Sequence, residues 1–511
     1  MGTTTTYSYS YVEPTIVSLL ILSSFIYLLN AARYIAQQLF YAGLIGEILV
    51  GIIYAAPLAN ILKTEWEQTV LDFGYLGLLI LVFEGGLETR LDFLAVKSNL
   101  FLSSIIGLTG ILTPIGLSIF LCTVGFKFSL LESFTMGASL SATSLGTTFA
   151  ILSSQGTYQL NKSRMGTILV GAALLDDISG LVMASVIEKL GHIGEQNLPW
   201  LISKPIVSSV AMIVISTLLA RFLFGRIWVK IECENRIIKC YSDQILLFCL
   251  IAGLSAFVTI ASYTSASTLV GAYCCGATLR HLDECRKKAS ADVEHSNTTS
   301  FQHLFEKYIR TIKEYLFAPF FFASIGFAVP FLQLWHGKEL WQGIVYALLM
   351  ILGKFITGVW IIIWTFASTR FKKSKVTNVS PTTVPVEIAM VEQVPMSQPS
   401  TTSPVLISHR SLSSRSVDTP HDEIIGTNPP EVSAKKSRSI YPALIVGLSM
   451  VSRGEIGFLI ANIGVSANVL SAEAFIVTIW AILLNTIMGP IAVGIMIKVL
   501  GSKLSDGVWI D

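Results

Sequence analysis

The chain has 511 residues, of which 52% are hydrophobic and only 13% are charged, with a net charge of +2. A typical soluble domain carries about 25% charged residues. These values exclude a disordered chain, a disulfide-stapled scaffold and a nucleic-acid binder with a dominant basic field. They predict a polytopic membrane protein.

Apolar stretches long enough to cross a membrane recur along most of the chain. A helix needs roughly 20 mainly apolar residues to span the hydrocarbon core. About thirteen such stretches are found, which predicts an all-α protein. They lie near residues 14–32, 39–59, 69–87, 99–122, 131–153, 163–188, 205–225, 241–262, 264–281, 314–333, 341–367, 440–465 and 472–499.

The distribution of Lys and Arg predicts the orientation of these spans. With the N-terminus outside, 28 of the 35 basic residues fall on the inner side and five on the outer side. Cytoplasmic loops are enriched in basic residues. We therefore expect the N-terminus outside and the C-terminus in the cytoplasm, in the plasma membrane or an organelle membrane.

Two segments interrupt the apolar pattern. Residues 282–312 are predicted to form a charged loop. Residues 370–438 are rich in Ser, Thr, Pro and Val, a composition that cannot bury enough apolar surface to fold, and they are predicted to be a disordered cytoplasmic loop. Residues 501–511 form a short cytoplasmic tail.

Ionisable residues at membrane depth are functional candidates, because each costs roughly 2.5–3.5 kcal/mol on insertion scales. Asp176 and Asp177 are adjacent in the apolar run GAALLDDISGLVMA. Neighbouring helical residues point about 100° apart. One carboxylate can therefore face an aqueous cavity while the other faces a neighbouring helix.

The other ionisable residues in the spans are expected to have charged partners or structural roles. Lys354 is too central to reach either surface and needs an acidic partner, for which Asp176 or Asp177 is the natural choice. Arg453 and Glu455 are expected to pair with each other or to neutralise a helix end. Glu47 and Glu84 lie nearer the ends of spans and are read as structural.

Two apolar stretches, 137–152 and 447–464, are poor continuous helices because they place Ser, Thr and Gly at mid-depth. Backbone freed from helical pairing there must line a cavity or be covered by protein. They are the fifth and twelfth spans, an odd offset of seven that inverts topology. Broken helices at matching places of inverted repeats indicate a transporter's binding site.

The ordered motifs of the chain resemble the monovalent cation:proton antiporters, in the branch of the bacterial electrogenic Na⁺/H⁺ antiporters and the potassium-efflux transporters. The resemblance rests on six stretches: GEILVGIIYAAP (46–57), LGLLILVFEGGLETRL (76–91), GASLSATSLGTTFAIL (137–152), GAALLDDISGL (171–181), LGKFITG (352–358) and SRGEIGF (452–458).

The resemblance implies about thirteen helices with inverted repeats, two crossed broken helices and a homodimer whose core domain moves against a dimer domain. On this basis residues 1–13 are an extracytoplasmic N-terminus. The dimer domain takes 14–95 and, after a linker helix, the rest of 200–335. The core takes 96–190, 341–369 and 440–500.

The resemblance also implies roles for individual residues. Asp177 matches the acid that binds the cation and exchanges protons, and Asp176 matches the acid that pairs with a lysine at the position of Lys354. Thr143 and Ser144 match broken-helix positions near the ion, and Arg453 and Glu455 match the other broken helix. Glu84 departs from the pattern, since many members carry an apolar residue there.

The sequence therefore predicts a secondary active antiporter that exchanges Na⁺, or K⁺ or Li⁺, for protons, and that is electrogenic. No cofactor and no enzymatic activity are expected. The alternatives are an ion channel or potassium-selective efflux or leak pathway, an intramembrane aspartyl protease, and an organic-solute carrier of similar fold. Two adjacent Asp on one helix cannot easily face each other, which disfavours the protease.

Overall fold

The computed structural model describes residues 13–40, 42–56, 58–89, 97–143, 164–191, 198–224, 242–290, 300–376 and 440–504. All regular secondary structure within these ranges is helical, which confirms the all-α prediction. Helices of at least ten residues are labelled here in chain order. They are α1 (Ile16–Phe40), α2 (Gly43–Tyr54), α3 (Thr64–Glu88), α4 (Lys97–Phe120), α5 (Leu130–Ser139), α6 (Arg164–Leu190), α7 (Leu198–Leu219), α8 (Ser242–Tyr263), α9 (Thr268–Ser290), α10 (Ala318–Ala328), α11 (Gly337–Phe355), α12 (Val359–Val376), α13 (Ile440–Ser449), α14 (Glu455–Ser466) and α15 (Ala472–Leu504).

Eight helical segments of the described chain are long and apolar enough to cross a membrane, so the chain is a multi-pass membrane protein. The number of about thirteen spans stays a prediction. Three further apolar helices, α2, α13 and α14, have only 10 to 12 residues. The eight long segments are Ile16–Phe40, Thr64–Glu88, Ser98–Gly125, Met165–Leu190, Ser203–Phe222, Asp243–Tyr263, Gly337–Ala367 and Ala472–Val499.

The predicted interruption of the twelfth span is present. α13 ends at Ser449 and α14 begins at Glu455, with non-helical backbone between them. In the fifth span α5 ends at Ser139, and residues 140–143 are not helical. The remainder of that predicted broken helix, including Ser144, lies outside the described residues.

The interrupted twelfth span joins two buried apolar clusters. α13 contributes Ile445 and Val446 to a cluster with residues of α4, α6 and α15. α14 contributes Phe458 and Ile460 to a larger cluster that also includes residues of α3, α5, α9 and α10. The non-helical turn at residues 450–454 is therefore held from both ends by buried side chains.

The prediction of a charged loop at residues 282–312 is wrong at both ends of that range, and residues 291–299 lie outside the described residues. α9 continues to Ser290, and helical turns begin again at Phe301. The Asp283 carboxylate accepts a hydrogen bond from the backbone N–H of Phe301 at 3.0 Å and lies 3.6 Å from the Arg286 guanidinium group. These contacts satisfy charges that a purely local composition rule assigns to solvent.

Contacts divide the chain into two compact units, residues 1–365 with 438–511 and residues 366–437. The first unit contains every element of the candidate site. In the second, the structure describes the last part of α12, which stays helical to Val376. The segment predicted as a loop from residue 370 therefore begins with helix, and residues 377–439 lie outside the described residues.

Glycines set the closest helix crossings in the first unit. An ideal Cβ atom at Gly276 of α9 would lie 2.2 Å from the carbonyl oxygen of Phe83 of α3. One at Gly86 of α3 would lie 2.2 Å from the carbonyl oxygen of Tyr273 of α9. Small residues let membrane helices approach to backbone contact. The α3–α9 crossing therefore depends on both glycines.

We expect Gly276→Ala to destabilise the folded protein by about 1–3 kcal/mol, because the new methyl group forces α3 and α9 apart. The measurement is the midpoint of thermal unfolding of the purified protein in detergent. Gly116→Ala in α4 is the matched control, since no atom lies within 4 Å of its ideal Cβ position. Equal midpoints for the two variants would contradict this account of the crossing.

Candidate functional site

The carboxylate of Asp176 lies where three chain segments meet. Its Oδ2 atom accepts a hydrogen bond from the Lys354 ammonium group of α11 at 2.6 Å and another from the Thr143 hydroxyl at 2.5 Å. Asp176 and Lys354 are both fully buried. The structure thus brings together three of the residues selected from the sequence.

A fourth segment, α4, packs directly against this ion pair. An ideal Cβ atom at Gly110 would lie 3.3 Å from Lys354 Nζ and 3.7 Å from Asp176 Oδ1. Removing one member of a buried ion pair is strongly destabilising, because it leaves an unpaired charge in an apolar environment. The ion pair is therefore enclosed by α4, α6, α11 and the segment that carries Thr143.

Asp177 differs sharply from its neighbour. Its side chain is half-buried and makes no hydrogen bond within the described part of the chain, and its Oδ1 atom is shielded from solvent. Its electrostatic neighbours are Glu455, Asp176 and Lys354. A buried polar atom without a partner is rare and calls for an explanation such as an exchangeable ligand. Asp177 thus offers a free oxygen, whereas Asp176 already holds two donors.

Arg453 ties the interruption between α13 and α14 to the end of α5. Its guanidinium group is fully buried, and Nη1 donates to the carbonyl oxygens of Ser141 at 3.1 Å and Ala142 at 3.0 Å. Carbonyl groups beyond the end of a helix lack intrahelical partners and carry a partial negative charge. Of the two possibilities left by the sequence, neutralising a helix end is the one found, while Glu455 occupies the first turn of α14.

Helices α6 and α14 run parallel and in register. An ideal Cβ atom at Gly180 would lie 2.8 Å from Cγ2 of Ile456, and one at Gly191 would lie 2.2 Å from the carbonyl oxygen of Ala467. Gly180 and Gly191 are eleven residues apart, as are Ile456 and Ala467. The two helices therefore remain side by side for about three turns.

This register fixes the level of the site. Asp177 precedes Gly180 by three residues, and Arg453 precedes Ile456 by three. The free carboxylate of α6 thus lies level with the interruption between α13 and α14. Glu455, the first electrostatic neighbour of Asp177, is set there by the start of α14.

A cavity of about 550 Å³ approaches the site from the end of α6 at Leu190. Its walls include Ala184 and Ser185 of α6 and Leu459 and Asn462 of α14, with residues of α3, α9 and α10 opposite. Ala184 is seven residues beyond Asp177, or about 10 Å along the helix axis. The cavity therefore ends short of the carboxylates.

Glu47 and Glu84, which were predicted from the sequence to be structural, both have ion-pair partners. The Lys313 ammonium group donates to Glu84 Oε2, and Arg33 Nε lies 3.7 Å from Glu47 Oε1. Neither carboxylate contacts the Asp176–Lys354 pair in any described hydrogen bond or ion pair.

Some residues of the site were missed by sequence reasoning. Gly110 and the carbonyl groups of Ser141 and Ala142 act through backbone geometry, which no local pattern reveals. Asn485 is a further candidate that no described contact joins to the site: it is fully buried in α15, and both polar atoms of its side chain lack partners in the described structure. Extending the search from charged to all polar side chains at membrane depth would have selected it.

The sequence of the chain matches a known protein family and several named proteins. The model of the sodium/hydrogen exchanger (transmembrane) family matches residues 21–408. The chain is 24% identical over 325 residues to a Bacillus cereus protein named "Probable Na(+)/H(+) antiporter GerT", covering 63% of this chain and 76% of that protein. It is 31% identical over 183 residues to the high-affinity Na(+)/H(+) antiporter NhaS3 of Synechocystis, covering 35% of this chain and 38% of that one.

The fold is also similar to that of a solved structure. The sodium proton antiporter MjNhaP1 from Methanocaldococcus jannaschii, determined at pH 8, superposes with a TM-score of 0.56 at 14% sequence identity, covering 96% of this chain and 99% of that one. The superfamily indicated by the six sequence motifs is thereby confirmed. The chain belongs to the sodium/hydrogen exchanger family.

Proposed function

We propose that the chain is a secondary active antiporter that exchanges Na⁺, with K⁺ or Li⁺ as alternative cargo, for protons by alternating access. The observation that carries this proposal is the contrast between two adjacent carboxylates. Asp176 holds Lys354 and Thr143, whereas Asp177 has no hydrogen-bond partner in the described chain. Membership of the exchanger family supports the same conclusion.

Exchange follows from competition for one charged group. A carboxylate in a desolvated site favours a neutral state, which it reaches by binding either a proton or a small hard cation. Carboxylate, hydroxyl and carbonyl oxygens suit such a cation. The unloaded site, still charged, crosses an apolar barrier only at high cost. Movement is therefore confined to the two loaded forms, and this couples the fluxes.

Oxygen ligands for the cation are available beside Asp177. Asp176 Oδ1 and Asp177 Oδ1 are both buried and without hydrogen-bond partners in the described chain. The Thr143 hydroxyl group donates to the carboxylate of Asp176, and Ser144 follows Thr143 in the chain. In the proposal these residues bind the cation, while Lys354, Arg453 and Glu455 are the ion-pair and coupling residues around it.

The proposed orientation in the membrane follows from the distribution of Lys and Arg, and the proposed domains and assembly follow from the family resemblance. With the N-terminus outside, the 550 Å³ cavity at the Leu190 end faces the exterior, and it ends short of the carboxylates. The core and dimer domains and the homodimer follow the family resemblance. Transport needs no cofactor in this scheme, and the membrane itself is the protein's constant partner.

Asp177→Asn should abolish cation-dependent proton movement, because the amide keeps the volume of the side chain but cannot trade a proton for a cation. The measurement is the recovery of a pH dye in proteoliposomes after addition of Na⁺, K⁺ or Li⁺ separately. Asp72→Asn is the control, since Asp72 is exposed on α3. Near wild-type recovery in Asp177→Asn would refute the role of this carboxylate.

Thr143→Val should raise the apparent KM for the cation with little change in the pH profile. The substitution removes a hydroxyl oxygen and one donor to Asp176, and it leaves both carboxylates in place. Thr143→Ser retains the hydroxyl group and should behave like wild type. A pH profile that shifts at constant KM would show that Thr143 acts on the proton instead. Ser144→Ala is expected to act in the same direction as Thr143→Val.

Lys354→Gln should reduce or remove the dependence of exchange on an imposed membrane potential. Cation entry draws Asp176 away from Lys354, which lets the lysine release its proton, so that two protons move for each cation. Without Lys354, Asp177 alone trades one proton for one cation, which is electroneutral. Lys338→Gln, which alters an ion pair with Glu473 away from the site, is the control. An electroneutral wild type, or a variant as voltage-sensitive as wild type, would exclude this coupling role.

A further inference from the structure

Two fully buried side chains carry polar atoms that the exchange scheme does not use. Arg453 Nη1 donates to two carbonyl groups, but Nε and Nη2 have no hydrogen-bond partner in the described chain. Neither Oδ1 nor Nδ2 of Asn485 has a partner there. Both residues are 0% exposed. Buried polar groups are nearly always satisfied, by protein or by ordered water, so these four atoms call for an explanation.

The helices around these side chains form two sets that make the same contacts. The first set is α4, α5 and α6, and the second set is α11, α13 and α15. An ideal Cβ atom at Gly137 of α5 would lie 2.9 Å from Cα of Ile115 of α4. One at Gly447 of α13 would lie 3.4 Å from Cα of Phe355 of α11. The first two helices of each set therefore cross at a glycine.

The match continues along both crossings. Three residues further along α4, the Ser118 hydroxyl donates at 2.8 Å to the carbonyl oxygen of Ser133, which lies four residues earlier in α5. At the same spacings in the second set, an ideal Cβ atom at Gly358 would lie 2.2 Å from the carbonyl oxygen of Ala443. Two contacts at equal spacings fix the residue-by-residue alignment of the two crossings.

The third helix of each set obeys the same alignment. An ideal Cβ atom at Gly180 of α6 would lie 3.3 Å from Cβ of Ala142, just beyond α5. One at Gly489 of α15 would lie 3.1 Å from Cβ of Ser452, just beyond α13. Ala142 and Ser452 each follow the glycine of the first crossing by five residues. The two sets therefore correspond in all three helices.

This alignment pairs the residues of the ion site with the two unsatisfied side chains. Directly after the third contact the chain carries Thr143 in the first set and Arg453 in the second. Four residues before the glycine of the third helix it carries Asp176 and Asn485, in the similar stretches LLDDISG and LLNTIMG. The Thr143 hydroxyl donates to Asp176 at 2.5 Å. The correspondence therefore places Arg453 facing Asn485.

The contacts of α15 support this placement independently. On one side of Asn485, Gly489 packs against Ser452, and on the other, Cδ1 of Ile482 lies 3.9 Å from an ideal Cβ atom at Gly457. Ile482, Asn485 and Gly489 share one face of α15, because they follow one another at spacings of three and four residues. The amide is thus level with the interruption between α13 and α14.

The second set lacks the ion pair of the first. Asp176 is neutralised by Lys354, which directly precedes the α11 member of the first crossing. The corresponding residue of α4 is Pro114, which has no charge to offer. A neutral amide at Asn485 agrees with that difference, since an unpaired carboxylate would be costly there. The second set therefore offers guanidinium donors and an amide, and no cation site.

We propose that Arg453 and Asn485 form a buried water site, and that Asn485 is thereby a positioning residue for the exchange reaction. A water molecule there accepts from Nε and Nη2 of Arg453 and donates to Oδ1 of Asn485. A cation cannot accept from the guanidinium group, and an anion cannot donate to the amide oxygen. A buried water typically makes about three hydrogen bonds to groups that are otherwise unsatisfied.

The water site acts on cation binding through Arg453, so this inference rests on the proposed function. With Nε and Nη2 held, Nη1 stays on the carbonyl groups of Ser141 and Ala142. Thr143 follows directly and donates to Asp176. Loss of the water frees the guanidinium group to turn and loosens the backbone that orients Thr143. Asn485 touches neither cargo ion, and its loss weakens cation binding without slowing the loaded carrier.

The test measures cation-dependent proton movement in proteoliposomes over a range of Na⁺ concentrations. Asn485→Leu keeps the side-chain volume and removes the acceptor. It should raise the apparent KM for Na⁺ about three- to tenfold, the size expected for one lost hydrogen bond, with the rate at saturating Na⁺ unchanged. Asn485→Asp keeps an oxygen in place and should have a KM no higher than wild type. An equally raised KM in both variants would contradict the acceptor role.

Thr478→Val is the matched control. Thr478 is also fully buried in α15, but its hydroxyl donates to the carbonyl oxygen of Ala474 in the same helix. We expect this variant to keep the wild-type KM. Combining Asn485→Leu with Thr143→Val tests the route: if Asn485 acts through Thr143, the double variant has nearly the KM of Thr143→Val alone. Effects that multiply would show independent action and overturn the route.

A purely structural Asn485 gives a different result. Replacing two unsatisfied buried atoms by an apolar group of similar size should then raise the thermal midpoint of Asn485→Leu and leave KM unchanged. That outcome overturns this inference and leaves the proposed function intact, whereas absence of exchange in the wild type overturns both. If Asn485→Leu fails to fold, a wild-type density map that resolves ordered water decides: density within hydrogen-bond distance of Arg453 and Asn485 supports the site, and its absence overturns it.

Discussion

The contact of one guanidinium group with two carbonyl oxygens is the interaction on which the site depends. Interrupting a helix at membrane depth exposes backbone groups that lipid cannot satisfy. Arg453, from the interruption between α13 and α14, donates to Ser141 and Ala142 just beyond the end of α5. These carbonyl groups thus gain a hydrogen-bond donor, and Thr143 follows them in the chain, where its hydroxyl reaches Asp176.

Adjacent identical residues acquire different chemistry from this arrangement. Asp176 points at α11 and α4 and is neutralised by Lys354. Asp177, about 100° further round α6, points toward the start of α14 and meets another acid, Glu455. One carboxylate is stabilised as part of a network, whereas the other is kept unpaired in the company of like charge. A proton or a cation relieves that repulsion.

The sequence predicted much of the site because apolar surroundings leave few partners for a charge. Lys354 had to find an acid, and the adjacent Asp176 and Asp177 in the middle of a span were the natural choice, so the observed pair could be anticipated. The interruption before Glu455 was likewise visible as Ser, Arg and Gly in an apolar run. The ordered motifs then identified the family.

What the sequence could not reveal depends on contacts between distant segments. Gly110 has no local feature that marks it, yet it lies against the ion pair across a helix interface. Asp283 lies in a segment predicted to be a loop, yet it is part of α9 and accepts a hydrogen bond from the backbone N–H of Phe301, eighteen residues away. The Lys313–Glu84 pair spans two segments separated by more than two hundred residues. Such pairings follow from tertiary packing, which composition and periodicity do not encode.

The shared register of α6 and α14 has a mechanical consequence. At Gly180 and Gly191 the two helices approach so closely that a single added methyl group would collide with Ile456 and Ala467. Close-packed interfaces of this kind have no room to slide by fractions of a turn. The two helices therefore move as one rigid body, and the separation between Asp177 and Glu455 stays constant during that movement. The electrostatic coupling between these two carboxylates is then the same in every position of the carrier, and only access to solvent differs between its two faces.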